Sequence, residues 1–179
     1  MAVACASAPR ASRSATALTS VDTAYYQVPG NTPAQWAAVL PRAARANGIT
    51  SGAPFTTVGH VMESLGGTRT TSIGCQLDRY VVQLRLGHVM PRLTDNSSPS
   101  AEDREAWDAF VGRLWERAHM HEAIGARLAD SLRAELKSAR SMSCPDLLDQ
   151  TRAKLAQFTT RYAVEVQEAE RAAGPVMGP

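Results

Sequence analysis

An α+β fold is what this chain predicts: a small antiparallel sheet packed on one long helix, flanked by an N-terminal and a C-terminal helix. A stripe spaced by three or four residues runs from Trp107 to Leu136, apolar except at His121 and Gly125, the pattern of a helix with one buried face. Upstream, Tyr80, Val82, Leu84 and Leu86 alternate with Arg79, Gln83 and Arg85, the period of two that marks a half-buried strand. Thr32-Pro33 and Ser143-Cys144-Pro145 each set a capping hydroxyl before a proline in a first helical turn, which starts two further helices.

Taken in order, residues 1–20 are mostly Ala, Ser, Thr and Arg, too little apolar surface to order a segment, and read as a disordered leader or tether. Residues 21–28 are rich in β-formers and close at Pro29-Gly30, giving a first strand and a turn. The first helix follows, with Trp36, Val39, Leu40, Ala43 and Ala44 on its inner face and Asn47-Gly48 at its end. Residues 54–64 and 68–74 read as a hairpin around Gly66-Gly67, followed by the strand 76–86. Residues 87–100, with Pro91 and the Asp95-Asn96-Ser97-Ser98-Pro99 cluster, read as a connecting segment.

Ser100 and Asp103 make a capping-box-like start to the long helix, whose stripe is Trp107, Phe110, Leu114, Ala118, His121, Gly125, Leu128, Leu132 and Leu136. The last helix docks on it through Leu148, Thr151, Leu155, Phe158 and Tyr162, and residues 171–179 form a flexible tail.

The 179 residues suit a single domain with its own core. A formal charge of +2, with acidic and basic residues interspersed, offers no basic face and argues against nucleic-acid binding. No stretch reaches the roughly 18–20 apolar residues of a membrane span, so the mature chain is expected to be soluble. Of the three cysteines, Cys75 and Cys144 flank recognisable elements and form the natural disulfide pair, worth up to about 4 kcal/mol in the chain-entropy model. The alternative is two buried free thiols. The pairing implies an oxidising, extracytoplasmic compartment. Small residues before Cys5 resemble the end of a lipoprotein signal, so Cys5 is a candidate for lipidation and otherwise an incidental cysteine of the leader.

The chemistry-bearing stretch is His119-Met120-His121-Glu122-Ala123-Ile124-Gly125. In H-E-x-x-H, two histidines one helical turn apart bind Zn²⁺ and the glutamate activates the metal-bound water. Here His121 and Glu122 stand in place, but Gly125 occupies the second histidine's position. His119 lies about 200° around the helix from His121 and cannot share an ion with it. His60 and His88 come from the sheet region. Without a metal, His121 reads as a core histidine and Glu122 as a surface carboxylate or an ion-pair partner of nearby arginines. Gly125 reads either as a close-packing position or as the trace of a lost ligand.

The order of these features resembles a bacterial secreted family of predicted zinc-dependent proteases, a domain of unknown function. The likeness covers residues 25–166: Tyr26-Gln27-Val28-Pro29-Gly30 before a Trp-bearing helix, a cysteine opening a strand, Met90-Pro91-Arg92, a second Trp-bearing helix, His121-Glu122, and Ser143-Cys144-Pro145-Asp146-Leu147-Leu148. The resemblance implies a zinc-protease-like domain over 21–170. It also implies an extracytoplasmic metallopeptidase with zinc on the two motif histidines and further site residues near the end of the last helix. Tyr162 matches the start of that terminal motif, but Ala163-Val164-Glu165-Val166 lacks its Asp, Thr and His-Gly.

Loss at two separated places, with the apolar stripes intact, points to a non-catalytic protein that holds a protein or peptide in the former substrate cleft and needs no cofactor. The alternative is an active secreted metallopeptidase with Zn²⁺ on His121 and non-standard ligands, and Glu122 as general base. Membrane contact is expected only through a lipid on Cys5.

Overall fold

The computed structural model describes residues 19–51 and 53–176. Cys5 and the expected leader up to residue 18 lie outside the described residues. The elements run β1 (Thr19–Val28), α1 (Pro33–Ala46), β2 (Thr56–Thr71), β3 (Gly74–Leu93), α2 (Ala101–Ser138), β4 (Arg140–Ser141) and α3 (Cys144–Ala173). The fold is α+β, with the long helix α2 across one sheet.

The sheet is mixed and not purely antiparallel. Its order is β1-β3-β2, with β4 on β3. β3 turns back from β2 and inserts between β2 and β1, so it runs antiparallel to the first and parallel to the second. The expected turn at Gly66-Gly67 is a register irregularity within the single long strand β2, where glycine tolerates the bend of a bulge. The hairpin turns instead at Ser72-Ile73, between the paired Thr71 and Gly74.

β3 also outruns its expected end. It continues to Leu93 because β1 borders it there, pairing Tyr26 with Pro91 and Val28 with Leu93. Pairing with β2 stops at Val89, which leaves room on that side for a proline without an N–H.

All three helix starts follow the sequence reading, with Thr32, Ser100 and Ser143 as N-caps. Ser100 Oγ accepts from the Asp103 amide at 3.1 Å and donates to its carboxylate at 2.7 Å. On α3 the rotation differs slightly from expectation: Leu147 is buried and Leu148 only half-buried. The Cys75–Cys144 disulfide, with Cα atoms 5.2 Å apart, ties the start of α3 to the start of β3. α3 runs to Ala173, so the expected tail begins as helix, and Val176 packs against the core.

The core has two apolar halves. One gathers Tyr26, Val28, Trp36, Phe55, Met90 and Phe110 around α1 and the N-terminal part of α2. The other gathers Val82, Leu84, Leu86, Leu128, Leu132 and Phe158 between β3, α2 and α3. Between them three elements contribute polar residues: Thr57 on β2, His88 on β3, and His121 with Glu122 on α2.

Candidate functional site

His121 and Glu122 sit mid-way along α2, where the buried stripe meets the sheet. Their side chains bond to different partners. Glu122 Oε1 accepts from His88 Nε2 at 2.8 Å, and His88 Nδ1 and the Thr57 hydroxyl share a hydrogen bond of 2.9 Å. The His88 side chain is 0% exposed and that of Glu122 29%, so the carboxylate serves as hydrogen-bond partner to a fully enclosed imidazole. A buried ring nitrogen is costly when left without a hydrogen-bond partner, and Thr57 and Glu122 together satisfy both nitrogens of His88. Glu122 is therefore paired with His88 and not with an arginine. The Trp115 ring closes over His88 edge-on at 5.9 Å between centroids.

His121 takes a different partner. Its Nε2 donates to Glu170 Oε1 at 2.7 Å near the end of α3, and the Phe55 ring stacks on it at 5.7 Å. Nδ1 is buried without a partner among the described residues. That atom is tolerable as a bare lone pair and costly as an unpaired N–H, which favours the neutral ring. Burial accordingly holds the His121 pKa below its ordinary value, and the nearby His88 and Arg117 act in the same sense, against the upward pull of Glu170. Arg117, one turn before His121, approaches Glu170 Oε2 at 3.5 Å and donates to the Ala173 and Gly174 carbonyls at 2.7 and 2.8 Å. A cation there caps the negative end of α3.

At Gly125 the place of a second motif histidine is filled. A β-carbon built there would lie 3.0 Å from a Leu84 methyl and 3.3 Å from Tyr162 Cε2. Gly59 on β2 closes on the same ring from another side, its built β-carbon falling 2.8 Å from Tyr162 Cε1. Two glycines thus cradle Tyr162, and Gly125 is a close-packing position. The Tyr162 hydroxyl is buried with no hydrogen-bond partner among the described residues. Its pKa is pushed up to about 12 by burial and then by the charge of Glu122.

This donor set does not fit a zinc ion. Each histidine Nε2 is taken by its own carboxylate. No group of three or more His, Cys, Asp or Glu side chains is placed to hold a metal among the described residues, whereas catalytic zinc takes three protein ligands. His119 packs against the Trp115 ring at 5.8 Å between centroids, the planes tilted by 32°, and His60 is exposed.

The sequence reading did not assign Thr57, His88 or Glu170 to the site. The signal for His88 was present, because the alternation through Val82, Leu84 and Leu86 continues to His88 and Met90 once the strand is extended. Glu170 carried no such signal, since its role depends on where α3 ends against α2. Beside the His121–Glu170 pair opens a cleft of ≈ 520 Å³, walled by Ala53, Phe55, Gln167, Pro175 and Val176, with Glu170 on its border.

No helix among the described residues is long and apolar enough to cross a membrane. No curated protein and no solved structure matches the chain. The model of a family described as "Bacterial protein of unknown function (DUF922)" matches residues 23–174. That span takes in both apolar halves of the core, the polar layer between them and the disulfide, and the chain belongs to this bacterial family of unknown function.

Proposed function

We propose that this domain is a non-catalytic, extracytoplasmic relative of zinc metallopeptidases that holds a protein or peptide segment in the cleft beside Phe55 and Glu170. The observation that carries the reading is the internal commitment of the motif residues. A general base must reach a metal-bound water, yet Glu122 is hydrogen-bonded to His88, His121 to Glu170, and the space beside Gly125 belongs to Tyr162. Beside them the cleft opens to solvent, with apolar walls at Phe55, Pro175 and Val176 and Gln167, Glu170 and Arg171 as its polar groups, the composition of a site that binds by shape. The Cys75–Cys144 disulfide supports an oxidising compartment.

The test pairs metal content with binding. Protein purified without chelator should carry no stoichiometric zinc and leave casein intact. A displayed random-peptide library panned on the wild type should enrich sequences that Ala53→Trp, which fills the cleft, no longer retains. Stoichiometric zinc with casein cleavage abolished by Glu122→Gln would overturn the reading in favour of an active metallopeptidase with non-standard ligands. Peptides retained equally by Ala53→Trp would remove the cleft as the binding site.

A further inference from the structure

The far end of the β2–β3 hairpin carries a second surface, independent of the cleft. Among the described residues β1 borders β3 from Leu84 onward, and β4 borders it at Cys75 and Gln76, toward the tip of the hairpin. At its tip stand the two most exposed large apolar side chains of the described residues, Ile73 at 74% and Met142 at 89%. They come from segments far apart in sequence that the fold holds side by side. Cys75 pairs with Ser141, a β-carbon built on Gly74 would lie 3.5 Å from Met142 Cα, and the disulfide locks the junction.

Behind this tip lies a cleft of ≈ 350 Å³ bordered by Arg69, Lys137 and Arg140, together with Tyr80 and Asp78. Asp78 lies 3.7 Å from Arg79, Arg140 donates to the Lys137 and Ala139 carbonyls, and Arg69 and Lys137 have no ion pair among the described residues. The cleft therefore has a surplus of cations directly behind two bare apolar side chains.

We propose that this tip docks on the surface of an anionic phospholipid bilayer. Ile73 and Met142 enter the acyl boundary, and Arg69, Lys137 and Arg140 take the phosphate headgroups. Apolar side chains in front of a cationic collar match the layering of an anionic leaflet. A stable protein partner would need a continuous face of about 800 Å², which two side chains on a hairpin turn do not supply. The contact is peripheral and reversible, since the apolar insertion is small.

The test uses the full, oxidised, unacylated chain and flotation with vesicles of equimolar phosphatidylglycerol and phosphatidylcholine, against phosphatidylcholine alone. Binding is expected only to the anionic vesicles and should weaken with added salt. The double variant Ile73→Ser/Met142→Ser should bind about tenfold more weakly, as should Arg69→Glu/Lys137→Glu. All four positions are exposed, and circular dichroism verifies that the variants fold. In Ile73→Trp the added indole fluorescence should be quenched by brominated lipid. Absent binding, binding unchanged in the Ser variants, or added fluorescence of Ile73→Trp that brominated lipid leaves undimmed would overturn the proposal. So would capture of soluble polyglutamate through the same residues with no vesicle binding, which would make the surface an acidic-protein site.

Discussion

Replacing Gly125 with histidine completes the H-E-x-x-H spacing, and the structure sets the penalty. The first side-chain atom already lies 3.0 Å from Leu84, 3.3 Å from Tyr162 and 3.7 Å from Leu86. Carbon atoms rest at about 3.5–4.0 Å, so two contacts are too close before any imidazole is added. Neither neighbour has room to yield, because Leu84 is fully buried and Tyr162 is pressed from another side by Gly59. Alanine at 125 gains about 1 kcal/mol in helix propensity and loses about 1–3 kcal/mol to overpacking. Its net effect is therefore between neutral and about 2 kcal/mol destabilising. Histidine forces a ring into the same gap and should cost more than about 3 kcal/mol. Urea unfolding of wild type, Gly125→Ala and Gly125→His, each also in a Tyr162→Ala background, measures this directly. Truncating Tyr162 alone should cost about 3–5 kcal/mol. The penalty of Gly125→His should then shrink by at least about 1 kcal/mol in that background, because the ring it struck is gone. A Gly125→His protein within about 0.5 kcal/mol of wild type that also retains zinc would refute the packing argument.

Four further outcomes follow from the same geometry. Tyr162→Phe removes a buried hydroxyl without a partner among the described residues and should leave stability unchanged or raise it by up to about 1 kcal/mol; a clear loss would mean that the hydroxyl has a partner. The folded state resists protonating His121, whose pKa burial holds below 6.5, so its share of stability is complete above pH 6.5 and declines as pH falls toward the lowered folded value. Urea midpoints across that range should follow this slope in wild type, and His121→Gln should flatten it. Saturating zinc should leave the wild-type melting curve in place, whereas a stabilising shift that His121→Ala abolishes would restore the metal-site reading. Reducing the disulfide, which joins residues separated by 69 positions, should cost up to about 4 kcal/mol; thiol titration of the unfolded, unreduced chain should find only Cys5, and three reactive thiols would count against the bond.

How much the sequence disclosed depended on whether the determining contacts were local. The whole α2 stripe from Trp107 to Leu136 is buried as its spacing implied, because helical periodicity is a property of one segment. N-caps at Thr32, Ser100 and Ser143 were legible for the same reason. The errors arose where distant segments decide. Pro91 has the local character of a strand terminator, yet β1 alongside carries the strand through it, and Gly66-Gly67 has that of a turn because nothing local distinguishes a bulge from a hairpin. At the site, His121 and Glu122 stood out as a damaged motif, but their partners His88 and Glu170 come from a strand and from the end of another helix. No spacing rule links those positions, and only the assembled fold joins them.

The polar layer between the two apolar halves also bears on how α2 finds its place. Leu128, Leu132 and Leu136 repeat every four residues and are all buried, so a slide of α2 by one turn would set leucine where leucine had been and meet little resistance there. At the middle of the helix the same slide is not neutral. It would put Ala118 or Ala126 opposite His88 in place of Glu122, and an enclosed ring nitrogen would lose its partner, a loss of about 1–3 kcal/mol. His121 would likewise leave Glu170 behind. A greasy seam that tolerates several alignments is thus held to one of them by two hydrogen-bonded pairs, in the way a key admits a shaft at a single angle. Such a key gives the chain reason to keep a histidine and a glutamate side by side on this helix even where neither meets a metal or a substrate.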